Sequence, residues 1–214
     1  MSRDSILAKI DAATEAGSKA EIDALAAELI SEPDGYRAEI APQPLDARFI
    51  EKATSETVTA TVEKLSSLSD IPTAVSAYLT AKDLKPKIAV QPKECLTNLN
   101  WSGLETVDHA QMNEPVAITF ADAGIAETGS LVFFTGPDAP VLLNFLPLHH
   151  LAVVRNSTIK AYMEDIFDTF GTTRTKQGRS CNIITGTSGT ADIEARNVRG
   201  AHGPRFMHIL LIAD

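Results

Sequence analysis

Apolar positions recur at helical spacing through the first third of the chain. Ile6, Leu7 and Ile10 open an amphipathic pattern that Gly17 can cap. Ser18 and Glu21 have the spacing of a capping box, and Ile22, Leu25, Ala26 and Leu29 follow as one stripe. Pro33, Asp34 and Gly35 interrupt it. The spacing predicts a third helix carrying Ile50, Ala53, Thr57, Thr61 and Leu65, and a fourth from about Asp70 and Pro72 carrying Val75, Tyr78 and Leu79.

Beyond this part the period shortens. Lys87–Val90, Val116–Phe120, Ser130–Phe134, Leu151–Val154, Asn182–Ile184 and Phe206–Ile212 are short apolar runs, predicted as strands. The pair within 116–134 is close enough in sequence for a hairpin. Val141–Leu146 reads as a short helix, Met163, Ile166, Phe167 and Phe170 as one helix face, and Ala191–Val198 as a further helix. Buried strands alternating with helices predict an α/β protein with a mostly parallel sheet covered on both faces.

The hydrophobic share of 44% and the charged share of 22% over 214 residues suit one globular domain with a substantial core. The expected organisation is a single domain over 1–214, with 1–82 a mainly helical N-terminal part packed on the α/β core. A net charge of -9 repels phosphate backbones and argues against a nucleic-acid partner. Arg174, Lys176 and Arg179, beside Gly171 and Gly178, read as a solvated loop or as a flap that attracts an anionic ligand. No apolar run is long enough to span a bilayer, and the charged N-terminal segment has no leader-like apolar stretch, so a cytoplasmic protein is expected.

Cys95 and Cys181 are far apart in sequence, which gives neither a disulfide framework nor a thiolate metal site. His109, His149, His150, His202 and His208 lack metal-ligand spacing, and the adjacent His149 and His150 point to opposite faces of a strand. No metal and no cofactor is expected in this chain.

Three glycine-containing loops follow predicted strands, where open α/β sheets place ligands. Ala123–Ser130 offers Glu127 as base, nucleophile or acceptor, with Thr128, Gly129 and Ser130 beside it; the residues alone favour the plainer reading, a hairpin turn with a solvated carboxylate. Thr185–Thr190 brings Gly186, Ser188, Gly189 and Thr190 to a predicted helix start, a place for an anion, although Asp192 and Glu194 follow closely and serve a helix dipole as well. It is neither a phosphate-binding loop of the Walker type nor a dinucleotide fingerprint. Gly200–Pro204 holds His202 on a turn, for proton transfer or for a structural hydrogen bond.

Taken together, GIAETGSLV, LPLHHLAVV and TGTSGTADIEARNVRGAHGP resemble the pattern of the lactate utilisation protein C family, a LUD-domain group. The resemblance covers about the last 95 residues. Glu127, Thr128 and Gly129 match its first block, and Pro147 and His150 its second. Gly186, Ser188, Thr190, Ala191, Asp192, Ile193 and Glu194 match its third, and His202, Gly203 and Pro204 its end. Thr187 replaces a usual Pro and Gly189 a common basic residue, which weakens the case for strong anion binding; Ser130 replaces a Thr. The resemblance implies a Rossmann-like three-layer α/β sandwich similar to the NagB/RpiA/CoA transferase-like group. It further implies an accessory or substrate-binding role in oxidising L-lactate to pyruvate, beside iron–sulfur partner proteins and with a small organic-acid ligand. The alternatives are a stand-alone small-molecule transferase or ligase using Glu127, and an organic-acid sensor.

Overall fold

A computed structural model describes residues 2–13, 17–31, 37–39, 42–110, 114–170, 179–191 and 197–214. They fall into two compact units, Met1–Ala41 and Pro42–Asp214. The first contains helices α1 (Arg3–Ala13) and α2 (Lys19–Ser31). The capping box forms as its spacing demands: the Glu21 carboxylate accepts from the Ser18 N–H at 2.7 Å, and the Ser18 hydroxyl accepts from the Glu21 N–H at 3.3 Å.

The second unit begins with α3 (Leu45–Ala53), then β1 (Thr61–Leu65), α4 (Ile71–Ala81), β2 (Lys87–Val90), the single turn α5 (Glu94–Thr97) and β3 (Glu105–Val107). It continues through β4 (Val116–Phe120), β5 (Ala123–Ile125), β6 (Ser130–Phe134), a 3-10 turn at Val141–Asn144, β7 (His149–Arg155), β8 (Ile159–Lys160) and α6 (Glu164–Phe170). The last elements are β9 (Cys181–Ile184), β10 (Gly189–Ala191), β11 (Asn197–Arg199) and β12 (Phe206–Ile212).

Six strands form an all-parallel sheet in the order β1-β12-β7-β4-β2-β3. A second sheet, β8-β5-β6-β9, is mixed, and β10 pairs antiparallel with β11. β4 is fully buried and β7 is buried except at Arg155, and both carry mostly apolar side chains on their two faces, as central parallel strands must. Val116, Ile118, Phe120, Leu151 and Val153 pack with Val75 and Leu79 of α4. Ala152 and Val154 face the other way, toward Phe49 of α3 and Leu131 and Phe133 of β6.

Three expectations need correction. Thr61 and Leu65 belong to strand β1 and not to the third helix, which ends at Ala53. Thr59 sits at φ 62, and the Ala60 N–H returns to the Ala53 carbonyl at 3.0 Å, so the chain turns back into the sheet. The hairpin within 116–134 is β5 with β6, since β4 pairs with β2 and β7 instead. A helix over Ala191–Val198 is replaced at both ends by strands: Thr190 faces Val198 across the β10–β11 pair, where β-branched side chains fit best. Asp192 and Glu194 lie outside the described residues, as do Arg174 and Lys176.

Candidate functional site

The three loops follow strands of the smaller sheets, and this moves them. In the parallel sheet the strand starts lie together at Thr61, Phe206, His149 and Val116. Residues 187 and 188 tie into that starting edge. The Thr187 N–H donates to the Val58 carbonyl at 3.2 Å, and the Thr187 and Thr59 hydroxyls bond at 2.6 Å. The Ser188 N–H donates to the Pro204 carbonyl at 2.8 Å, and the Gly200 N–H to the Ser188 carbonyl at 3.0 Å. The expected helix start at Thr185–Thr190 does not form, because Gly189 and Thr190 are paired in β10. The anion cradle that such a start would supply is therefore missing.

Gly186 is what lets this loop lie down. Its φ is +73°, and a Cβ there would sit 1.9 Å from the Val58 carbonyl oxygen. Gly129, at φ +72°, closes the β5–β6 turn directly against the backbone of Ala53. Its N–H donates to the Ile125 carbonyl at 2.9 Å.

A row of hydroxyls connects the first two loops. Thr128 bonds Ser130 at 2.6 Å, and Ser130 bonds Thr185 at 2.6 Å. Three hydroxyls sharing two bonds leave one O–H to donate outward. The Thr59–Thr187 pair leaves another by the same count. Glu127 is half-buried, and its N–H donates to the Ala161 carbonyl at 3.0 Å. Ser188 touches the third loop, since a Cβ on Gly203 would meet the Ser188 Cβ at 3.1 Å. His202 is exposed.

The starting edge thus gathers Thr128, Gly129, Ser130, Gly186, Ser188, His202 and Gly203. Glu127 stands on the same turn as Thr128, and no hydrogen bond joins it to Ser188 or His202 among the described residues. His150 is elsewhere: it is fully buried between the sheets, with Nε2 bonded to the Thr119 hydroxyl at 2.7 Å and its ring tilted against Phe133. Burial pushes its imidazole down to about 4. Its neighbour His149 faces the opposite side and bonds the Tyr78 hydroxyl at 2.9 Å. His208 bonds the Thr61 hydroxyl through Nδ1 at 2.7 Å and Glu63 through Nε2 at 3.3 Å. Burial lowers both of these imidazoles, although Glu63 opposes the shift at His208.

A pocket of about 500 Å³ opens beside these loops, at the entries of β4, β7 and β12. Glu114, Phe145, Leu146, Leu148, His202 and Gly203 are among its walls. Glu114 and Thr59 were not singled out by sequence reasoning, and Thr185 and Thr187 entered it only as members of the second loop and, for Thr187, as a departure from the family pattern. Glu114 only precedes a proline at a strand entry, and the threonines acquire their meaning from partners up to 128 residues away. Among the described residues no three His, Cys, Asp or Glu side chains converge on a metal position. No described helix is long and apolar enough to cross a membrane. Burial raises the thiols of Cys95 and Cys181, which sit in separate clusters.

These features define an α/β protein whose glycine and hydroxyl loops collect at the starting edge of a parallel sheet. The LUD domain family model matches residues 13–212, and the chain belongs to that family. It is 34% identical over 117 residues to lactate utilization protein C of Geobacillus sp. (strain WCH70), covering 53% of this chain and 48% of the relative. It is also 34% identical over 115 residues to lactate utilization protein C of Bacillus subtilis (strain 168), covering 52% and 48%. The chain spans about half the length of the curated relatives it matches. The crystal structure of a DUF162 family protein from Deinococcus radiodurans shares the fold, with a TM-score of 0.58 and 16% identity over 81% of this chain and 99% of that one.

Proposed function

We propose that this chain acts in lactate utilisation, as a cytoplasmic, non-redox component of a system that oxidises L-lactate to pyruvate. The observation that carries this is membership of the LUD domain family together with relatives named lactate utilization protein C. Oxidation at C2 of lactate releases two electrons and two protons. Two cysteines in separate clusters are too few for a four-thiolate iron–sulfur cluster, so the electrons pass to partner proteins that carry such clusters. The role left to this chain is to hold a small organic acid and handle a proton.

The spare O–H donors at Thr128–Ser130–Thr185 and Thr59–Thr187 support carboxylate binding at the starting edge. Gly129, Gly186, Ser188, Gly189, Thr190 and Gly203 shape that surface, and Glu127 or His202 takes the proton. Calorimetric titration with L-lactate and with pyruvate tests this. Saturable binding that weakens about tenfold in Thr128→Val and Ser188→Ala is the expected result. Heats indistinguishable from dilution for both acids, with and without the iron–sulfur partners, contradict it.

The carboxylate of Glu127, half-buried on a tight turn, also favours a second reading, group transfer with Glu127 as nucleophile. A covalent adduct on Glu127, trapped by hydroxylamine and seen by mass spectrometry, would select it.

A further inference from the structure

The pocket at the entries of β4, β7 and β12 is chemically unlike the hydroxyl surface beside it. Its distinctive polar group is Glu114, whose side chain is only 4% exposed. One carboxylate oxygen faces the Lys87 ammonium at 3.7 Å, too long for a hydrogen bond. The other, Oε1, is buried with no hydrogen-bond partner among the described residues. A buried carboxylate oxygen without a donor costs free energy that a ligand's donor would recover.

Charge then decides what kind of donor fits. Lys87 is shared, since its ammonium lies 3.6 Å from Glu105 as well. Two carboxylates around one ammonium leave a net charge of about -1 in the group to which Glu114 belongs, behind the pocket wall. Arg205, at the third loop, is turned over the Phe206 ring at 5.6 Å. An anion would bring a second negative charge against a desolvated carboxylate, and a neutral hydroxyl would satisfy the oxygen but leave the charge. A cation with N–H donors does both. Apart from His202, the remaining side chains of the wall, including Phe145, Leu146 and Leu148, are apolar and accept a hydrocarbon body.

We propose that this pocket is a binding site for a small organic amine in its protonated form, with Glu114 accepting from the ammonium and the apolar walls holding the rest of the molecule. The pocket adjoins the organic-acid surface and shares His202 and Gly203 with it, but its test reads amine binding at Glu114 and does not depend on any role in lactate utilisation.

Three probes with one aromatic body and different heads test it: phenethylamine, 2-phenylethanol and 3-phenylpropionate, titrated into the full chain at neutral pH by calorimetry and ligand-observed NMR. The amine should bind at least tenfold tighter than the alcohol, and the acid should not bind. Glu114→Gln should lower amine affinity at least tenfold while leaving the alcohol unchanged. Leu146→Ala should weaken amine and alcohol by a similar factor. The wild-type ranking decides the matter if Glu114→Gln does not fold. Equal binding of amine and acid, no binding of the amine, or full amine binding by a folded Glu114→Gln protein would overturn the proposal.

Discussion

Gly186→Ala should be among the most damaging single-methyl additions in this protein. The new Cβ would lie 1.9 Å from the Val58 carbonyl oxygen and 2.6 Å from its carbon, far inside van der Waals contact. Neither side yields easily. The Val58 carbonyl accepts the Thr187 N–H, Thr59 is bonded to Thr187, and Ala60 is tied to Ala53. Left-handed φ costs a non-glycine residue about 1–2 kcal/mol. Parting the loops removes two hydrogen bonds worth about 1 kcal/mol each. A loss of about 3–4 kcal/mol follows, or roughly 6–16 °C in melting temperature for a chain of this size. Gly103→Ala isolates the backbone part, because Gly103 has φ +86° with nothing within 4 Å of its Cβ position. That variant should lose only the first 1–2 kcal/mol. The assay is urea and thermal unfolding of both variants beside wild type. A Gly186→Ala protein no less stable than Gly103→Ala would refute the claimed packing of the 185–190 loop on the entry to β1.

Acid should destabilise the protein through His150. Its imidazole is held at about 4 in the fold against an ordinary 6.5 in the unfolded chain, so the unfolded state binds more protons between these values. Stability is full above pH 6.5 and falls by about 3 kcal/mol as the pH drops to 4, with His149 and His208 acting in the same direction. Denaturant melts across this range should show His150→Gln losing less than wild type, and parallel curves would refute the assignment. Glu127→Gln and His202→Asn should each impair growth on L-lactate while moving the melting temperature by less than about 2 °C, since neither side chain is buried in the core. Normal growth with both would remove these side chains from the chemistry.

The elements easiest to read in the sequence were those whose own residues carry the signal. The apolar runs of β2, β4, β7 and β12 are buried on both faces, and α4 announces itself with Pro72 in its first turn. β1 hid because only Leu65 of its five residues is buried, and Thr57, Thr61 and Leu65 fall by chance at helical spacing. Only its pairing with β12, more than 140 residues away, makes it a strand. β8, two residues long, has no local signature at all. The loops that build the candidate site were visible as glycine and hydroxyl clusters. Their location was not, because it depends on β5, β6, β8 and β9 forming a second sheet and on β10 pairing with β11, which together carry the loops to the starting edge.

Deleting the gene in the organism that carries it, then measuring growth with L-lactate as sole carbon source, tests the central claim most directly. Growth on L-lactate should fail and return when the wild-type chain is supplied, while growth on pyruvate stays normal throughout. Undiminished growth of the deletion strain on L-lactate, with no second copy of the domain in the genome, would contradict the proposed role.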